Sequence, residues 1–287
     1  METDAMNPRI GMRFPPKPQI FGVLNITSDS FSDGGRYLDP DLAFQKALSL
    51  VQEGADVVDI GAQSSNVEAG WVEPETEWER MKEIILELKN RKITVSVDTF
   101  KPYVIEKALQ AGVDFINNIR AFTDAESGEI LRKFPSSRTK YVVMYSHNHG
   151  DKAKQDSPLS RDTVLREIVS FFRERKKTLE GWDVAPERIV YDPGMGFFLS
   201  PDPMVSFSVL SSVTELLSEF PGLMVSVTRK SFLGNALGGI PVEERDIPTA
   251  ICELSLWLRN VPMIRTHSPS KLLQAIRTWK LSNGEDS

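Results

Sequence analysis

Polar and charged side chains recur at the ends of short apolar segments along this sequence. Aspartate and asparagine favour helix N-caps and turns, so any one of these residues alone is compatible with a structural role. Because the same pattern recurs along the chain, a shared polar site is the better interpretation. Its cationic side chains could bind an anionic substrate. These residues are Asn25, Asp59, Asp98, Asn117, Asn118, Asp192, Arg229, Lys230, Arg265 and His267.

The first of these segments runs into a loop of unusual composition. Residues 25–35 combine hydroxyl side chains, two aspartates, a single aromatic residue (Phe31) and a terminal glycine pair. Such a loop is suited to folding over a ligand, although its composition equally allows a plain surface loop.

Two later loops also have compositions suited to binding. In residues 192–198 the glycines allow the backbone to approach a ligand, while Phe197 and Phe198 could form an aromatic wall or belong to the core. In residues 228–234 two cations and a hydroxyl lie where a further short helix should begin, and the N–H groups of a helix start suit an anion. Those side chains are Arg229, Lys230 and Ser231.

The elements that must position these residues are short apolar segments alternating with longer amphipathic ones. The apolar segments lack strict polar alternation, which is typical of strands buried on both faces. We expect strands at 20–26, 56–60, 93–97, 115–119, 141–144, 189–191, 224–227 and 263–265. We expect helices at 41–53, 75–89, 101–111, 125–134, 163–179, 203–217, 247–258 and 270–280.

This alternation predicts parallel βα units in an α/β fold, and specifically a single-domain (β/α)8 TIM barrel. A closed barrel fits better than an open sheet because no dinucleotide-type glycine loop follows the first strand. We assign residues 1–19 to an extended lead-in, 20–282 to the barrel and 283–287 to a frayed tail. The carboxyl ends of barrel strands share one face, where barrel enzymes keep their active sites. Three glycines that follow helices are expected to take positive φ: Gly54, Gly112 and Gly181.

Composition narrows the class of protein. The 287 residues are 40% hydrophobic and 26% charged, with a net charge of −6 that argues against nucleic-acid binding. The single cysteine, Cys252, excludes an intramolecular disulfide and is expected to be a small buried side chain. We find no signal-peptide core and no apolar segment long enough to span a bilayer, so we expect a cytoplasmic protein with no membrane partner.

The three loops together resemble dihydropteroate synthases. The first-loop motif of that family reads N-[VI]-T-P-D-S-F-S-D-G-G. The segment 25–35 of this chain matches it except that Ser28 replaces the proline. Further matches extend the resemblance to nearly the whole chain: Val97-Asp98-Thr99, Ile116-Asn117-Asn118-Ile119, Asp192-Pro193-Gly194, Arg229-Lys230-Ser231 and Arg265-Thr266-His267.

Several departures from the common family pattern occur. Where most members read D-I-G-G-E-S-T-R-P-G, this chain has D-I-G-A-Q-S-S-N from Asp59 to Asn66. The segment after Asp192 reads G-M-G-F-F-L, and Tyr145 replaces a common histidine. The S-S-N variant, the G-M-G-F-F-L segment and R-K-S-F-L-G at residues 229–234 are similar to the Sul-type members, which tolerate sulfonamide drugs.

The resemblance implies a transferase of folate biosynthesis that joins 7,8-dihydropterin-6-ylmethyl diphosphate to p-aminobenzoate and releases diphosphate. It implies a pterin site of Asp98, Asn117, Asp192 and Lys230. It implies a diphosphate site of Asn25, Arg265 and His267, with Asn25 also contacting the Mg²⁺ cofactor. It implies a p-aminobenzoate site of Phe31, Ser65, Phe197 and Ser231. The catalytic residues would be Asp98, Lys230, Arg265 and His267.

Alternatives remain at this point. The pterin contacts would also suit a methyltetrahydrofolate-binding barrel of a corrinoid methyltransferase, or a non-catalytic pterin-binding protein. His147 and His149 could be a metal pair, although a third ligand of the expected kind is missing. The resemblance also implies a homodimer that pairs through the late helices.

Overall fold

The computed structural model describes residues 14–27, 39–63, 70–147 and 159–285. In this part of the chain eight parallel strands form one sheet with the order β6-β5-β4-β3-β2-β1-β8-β7. The strands are β1 Gln19–Asn25, β2 Val57–Gly61, β3 Val95–Asp98, β4 Phe115–Asn118, β5 Lys140–Met144, β6 Ile189–Asp192, β7 Met224–Val225 and β8 Met263–Thr266.

The sheet curls into a nearly closed barrel. Its two ends, β6 and β7, approach each other at an isolated parallel bridge between Tyr191 and Leu223. The main-chain N–H of Tyr191 donates to the carbonyl of Gly222 at 2.9 Å beside this bridge. The predicted TIM barrel is therefore confirmed.

Helices connect the strands and cover the outside of the barrel. In chain order they are α1 Pro40–Gln52, α2 Pro74–Asn90, α3 Pro102–Gln110, α4 Ala125–Lys133, α5 Val164–Glu180, α6 Pro203–Ser211, α7 Val213–Glu219, α8 Ser231–Ala236, α9 Asp246–Leu258 and α10 Pro269–Ser282. Five of them carry proline at the first turn, where a missing N–H removes no helical bond: α1, α2, α3, α6 and α10. Within the described residues no helix has the length and apolarity that a bilayer span requires.

The apolar core is divided into an outer and an inner part. The outer cluster lies between the strands and the helices, and it includes Val58, Ile116 and Ile264. The inner cluster fills the barrel and contains residues that alternate with the outer ones: Phe21, Val57, Phe115, Val142, Val190, Met224 and Met263. Because successive strand residues face opposite sides, the residues two positions further along each strand also face the barrel interior.

The structure corrects two details of the sequence prediction. The helix expected at 203–217 is broken at Ser212, which caps α6 with φ of −102°. The preceding Ser211 donates its hydroxyl to the Ser208 carbonyl at 2.8 Å, and such bonds compete with helix propagation. Gly54 and Gly112 have positive φ as expected, but Gly181 has φ of −67° and Asp183 takes the left-handed conformation instead.

Candidate active site

A polar layer lies directly above the inner apolar cluster. Four strands each place a polar residue two positions after their member of the inner cluster, and therefore on the same inward face. These residues are Asp59 on β2, Asn117 on β4, Asp192 on β6 and Arg265 on β8. The strand registers also align Asn25 with Gly61, Gly61 with Asp98, and Asp98 with Asn117. The next inward-facing position after the apolar inner cluster is therefore polar. We call the space lined by these polar residues, at the carboxyl end of the strands, the chamber.

Arg265 crosses this chamber and joins two carboxylates from other strands. Its Nε donates to Asp59 Oδ2 at 2.6 Å, and its Nη2 donates to Asp98 Oδ2 at 2.8 Å. A methyl group on Gly61 would lie 3.3 Å from the Cβ of Asp98, so the glycine leaves room for this carboxylate. Burial raises the pKa of Asp98 to about 7; Arg265 opposes the rise, and Asp59 and Glu77 add to it.

Asp192 and Lys230 form the second charged pair of the chamber. Asp192 is buried at the end of β6, where its Oδ1 accepts from the N–H of Gly194 at 2.8 Å. Burial raises the pKa of Asp192, while Lys230, this N–H and Arg265 oppose the rise. Burial lowers the pKa of Lys230 to about 8, against the attraction of Asp192 and Asp98.

The loop after Asp192 is shaped by close backbone packing. Gly194 has φ of +67°, and a Cβ there would collide with the carbonyl oxygen of Tyr145. Further along, Phe198 packs with Phe100, Ile119 and Met144 in a small apolar cluster at the chamber edge. The ammonium of Lys230 lies 4.9 Å from the centre of the Phe198 ring, a distance that suits a cation–π contact.

His267 enters the same end of the barrel from the segment after β8. Thr228 Oγ1 accepts from the main-chain N–H of His267 at 3.2 Å and lies 3.0 Å from His267 Nδ1. The Thr228 hydroxyl can either donate to Nδ1 or accept from it; when it donates, the single proton of the neutral imidazole lies on Nε2. Burial, together with the charges of Arg265, Arg229 and Lys230, lowers the pKa of His267 to about 3. The imidazole is therefore a neutral donor and not a cation.

The two predicted amide residues lie on the strands that flank Asp98. Asn25 is half-buried at the end of β1, and Asn117 is buried on β4. Its neighbour Asn118 is fully buried and accepts from the N–H of Arg120 at 2.8 Å, which is a turn-forming role.

The predicted p-aminobenzoate residues are only partly described. Phe31 and Ser65 lie outside the described residues, as does most of the loop at 25–35. Ser231 is half-buried at the start of α8, and its Oγ lies 3.1 Å from the position a Cβ on Gly196 would take. Phe197 is half-buried, whereas Phe198 is the ring beside Lys230.

The described residues offer few donor atoms for a metal ion. They contain no group of three or more His, Cys, Asp or Glu side chains able to hold an ion. His147 Nδ1 lies 3.3 Å from the Tyr145 hydroxyl, and His149 lies outside the described residues. Asn25 offers one amide oxygen, so a Mg²⁺ ion held by this residue would need its other ligands from outside the described side chains.

The sequence alone does not reveal the contacts of three further site residues. It predicts Asp59 as a polar strand-end residue but indicates no role for it, because its contact with Arg265 spans 206 positions of the chain. Thr228 reads as an ordinary strand-end residue, and only the structure places it against His267. The sequence does not distinguish Phe198 from Phe197, and only the backbone conformation of the loop separates their positions. Cys252 is half-buried rather than fully buried.

The chain matches the family of pterin binding enzymes over residues 21–267. It is 41% identical to a dihydropteroate synthase type-3 of Escherichia coli over 264 residues, which cover 91% of this chain and 98% of that protein. It is 42% identical to a type-2 enzyme of the same organism over 254 residues, with 88% and 92% covered. The crystal structure of Yersinia pestis dihydropteroate synthase with a sulfonamide drug is similar, with a TM-score of 0.84, 29% identity, and 94% and 95% of the two chains covered.

A TIM barrel with a polar chamber and a family match of this extent define the class as pterin-binding barrel enzymes. Within that class the chain belongs to the dihydropteroate synthase family, transferases of folate biosynthesis. The sequence-based resemblance is thereby confirmed, and the methyltransferase and non-catalytic alternatives are set aside.

Proposed function

We propose that the chamber binds dihydropterin diphosphate with its ring at Asp192 and its phosphates at Arg265. The supporting observation is that Asp192, Lys230, Asp98 and Arg265 are close enough to perturb one another's pKa values at one end of one barrel. An ionised Asp192 accepts the parallel N–H donors of the amino-pyrimidinone edge. Asn117 both donates and accepts, which suits the rest of that edge.

Asp98 and Lys230 act on the reacting half of the pterin. Asp98 accepts from a ring N–H and stabilises the positive charge that develops when diphosphate departs. Lys230 donates to the ring carbonyl and N5. The aromatic amine attacks as a neutral nucleophile and loses its proton after the C–N bond forms, so the site requires no serine- or cysteine-type triad.

The leaving group is held by a cation and a neutral donor. Arg265 binds phosphate oxygens through its guanidinium, and His267 donates from Nε2. Asn25 would contribute one ligand to Mg²⁺, and a bound Mg²⁺ would supply positive charge at the diphosphate. Metal dependence is tested by assaying the chelated enzyme before and after MgCl₂ is restored.

The second substrate, p-aminobenzoate, would lie beside Ser231 and the segment 196–198. Phe31 and Ser65, which the resemblance also assigns to this substrate, lie outside the described residues. Its carboxylate points to Ser231 and the start of α8, and its ring meets the aromatic wall of Phe197 and Phe198. We propose that this wall admits the substrate and collides with the bulk that a sulfonamide carries beyond its ring, which makes the enzyme insensitive to the drug.

Drug discrimination is tested by comparing sulfamethoxazole inhibition with the KM for p-aminobenzoate. Wild-type enzyme should show weak inhibition and a normal KM, and Phe197→Ala or Phe198→Ala should increase inhibition more than it changes KM. Phe134→Ala, after α4 at the other end of the barrel, is the matched control. Sub-micromolar inhibition of the wild type with normal substrate binding would contradict the proposal.

A homodimer is proposed from an apolar stripe on α9. Ile247, Ile251 and Leu258 are 74%, 62% and 36% exposed, and they recur at helical spacing. An exposed stripe of this kind marks a protein interface, and sedimentation of the wild type against Ile251→Glu tests it. The cytoplasm remains the proposed location.

The proposed reaction as a whole is tested by mixing dihydropterin diphosphate, p-aminobenzoate and Mg²⁺ with the purified chain. Dihydropteroate and diphosphate should appear in equal amounts. Pterin binding without diphosphate release would contradict the proposal.

A further inference from the structure

Asp59 differs from the other carboxylates of the chamber in how completely it is enclosed. It is 1% exposed, whereas the side chain of its fellow partner Asp98 is 31% exposed. Its Oδ2 accepts from Arg265 Nε, and its Oδ1 is buried without a hydrogen-bond partner in the described part of the chain. A buried carboxylate in such surroundings depends on its ion pair, because water cannot replace the lost cation.

The two contacts of Arg265 therefore differ in kind. The contact from Nε to Asp59 lies deep in the barrel and cannot be exchanged for solvent. The contact from Nη2 to Asp98 lies nearer the opening, where a substrate oxygen can compete for the same N–H. A guanidinium fixed at one edge and exchangeable at the other is oriented before the substrate arrives, which reduces the cost of binding.

We infer that Asp59 is a positioning residue that holds Arg265 across the barrel by its Nε edge, so that the Nη edge can pass from Asp98 to the diphosphate of the substrate. This inference rests on the proposed assignment of Arg265 to the diphosphate. The exchange frees Asp98 for the pterin ring at the same moment, so binding of the phosphates and orientation of the ring are coupled.

The electrostatics of the chamber give this role a distinct signature. The charged groups that act on Asp98 are Arg265 from β8, Asp59 from β2, Glu77 from α2 and Lys230 from the loop after β7. Among these, the negative charge of Asp59 favours protonation of Asp98. Neutralising Asp59 therefore makes Asp98 a stronger acid, an effect that loss of packing alone does not produce.

The test compares Asp59→Asn with Ser96→Ala. Ser96 is fully buried, is in register with Asp59, and has a hydroxyl without a partner in the described residues. Its loss removes neither charge nor a described bond. For Asp59→Asn we expect kcat/KM for dihydropterin diphosphate to fall about 10²-fold, with KM for p-aminobenzoate unchanged. We also expect the acidic limb of the pH–rate profile to move to lower pH.

A folded Asp59→Asn enzyme that matches Ser96→Ala in both respects would overturn the inference. If Asp59→Asn does not fold, the test is the exchange with water of the Arg265 Nε–H proton, measured by NMR of ¹⁵N-labelled wild type. The signal is assigned by its absence from the spectrum of Arg265→Lys. That proton should exchange slowly with water and stay protected when pyrophosphate is added. Rapid exchange would overturn the inference. Absence of dihydropteroate synthesis by the wild type would instead refute the proposed function, because the Nε–H measurement does not depend on it.

Discussion

Arg265 and Asp98 meet at 2.8 Å although they lie on strands separated in the sheet by β1 and β2. The guanidinium therefore reaches across the inside of the barrel. This contact brings the cation that we propose for the phosphates next to a carboxylate that we propose for the pterin, so one substrate molecule could bridge the two groups.

Removing the guanidinium should damage both catalysis and folding. Arg265→Ala should lower kcat/KM by about 10²–10³-fold, the usual effect of losing a donor that stabilises a developing charge. It should also destabilise the fold by about 3–5 kcal/mol, because Asp59 is left buried and unpaired. Steady-state kinetics and denaturant unfolding measure the two effects. Lys133→Met, which breaks an exposed pair with Glu106, should change neither.

The pH dependence of kcat/KM should be bell-shaped with a narrow maximum. In the proposed mechanism Asp98 must be ionised to accept a hydrogen bond, so we expect the rate to fall as the pH drops through its pKa of about 7. Lys230 must be protonated to donate, so the rate falls as the pH rises through its pKa of about 8. Lys230→Arg should lose the alkaline limb, since arginine stays charged. Persistence of that limb in Lys230→Arg would assign it to another group.

His267 should act as a neutral hydrogen-bond donor. Its pKa of about 3 places its titration far below the working range of the enzyme. His267→Gln retains a neutral donor and should keep more activity than His267→Ala. The affinity for pyrophosphate should then depend on pH identically in the wild type and in His267→Gln. A titration near pH 6–7 that only the wild type shows would mean that the imidazole binds as a cation.

Glu253, on α9, should make the protein less stable at high pH. Burial raises its pKa to about 8, with Thr266 as a hydrogen-bond partner that opposes the rise. The folded state thus retains a proton that the unfolded state has already lost. Stability is highest below the unfolded pKa, falls as the pH rises towards 8, and is constant above it. Glu253→Gln should raise Tm at pH 9 but not at pH 4, at roughly 2–4 °C per kcal/mol. An equal shift at both values would contradict the assignment.

A buried ion pair beside the chamber should be needed for folding. Lys101 Nζ contacts Glu77 Oε2 at 2.5 Å, with both side chains at most 3% exposed. Glu77 Oε1 also accepts from the Thr99 hydroxyl at 2.6 Å. Lys101→Met should lower the free energy of unfolding by about 3–5 kcal/mol, because it leaves the buried carboxylate of Glu77 without its cation. The double variant Lys101→Met with Glu77→Leu should recover part of this loss, as measured by urea unfolding.

Much of the fold followed from the sequence, because short apolar segments alternating with amphipathic ones allow few topologies other than a parallel barrel. All eight strands were located to within a few residues. The break at Ser212 was missed because it depends on which serine hydroxyl bonds the backbone. The polar chamber was predicted from strand-end residues, since strand direction alone brings them together.

The pairings inside the chamber could not be predicted. The partner of Arg265 depends on strand register and barrel curvature, which no local pattern encodes. The neutral state of His267 depends on its burial and on three neighbouring cations. The distinction between Phe197 and Phe198 depends on the backbone conformation of a short loop that contains two glycines of positive φ, Gly194 and Gly196.

We propose that the pterin and the diphosphate of one substrate molecule both bind in the chamber. The most direct test is calorimetry in which a pterin and a pyrophosphate are titrated separately. A hydroxymethyl dihydropterin and Mg²⁺-pyrophosphate would each be titrated into wild type, Asp192→Asn and Arg265→Ala. We predict that Asp192→Asn loses pterin affinity and keeps pyrophosphate affinity, that Arg265→Ala does the reverse, and that the intact diphosphate ester displaces both ligands from the wild type. An ester that displaces only one of the two ligands would contradict the account.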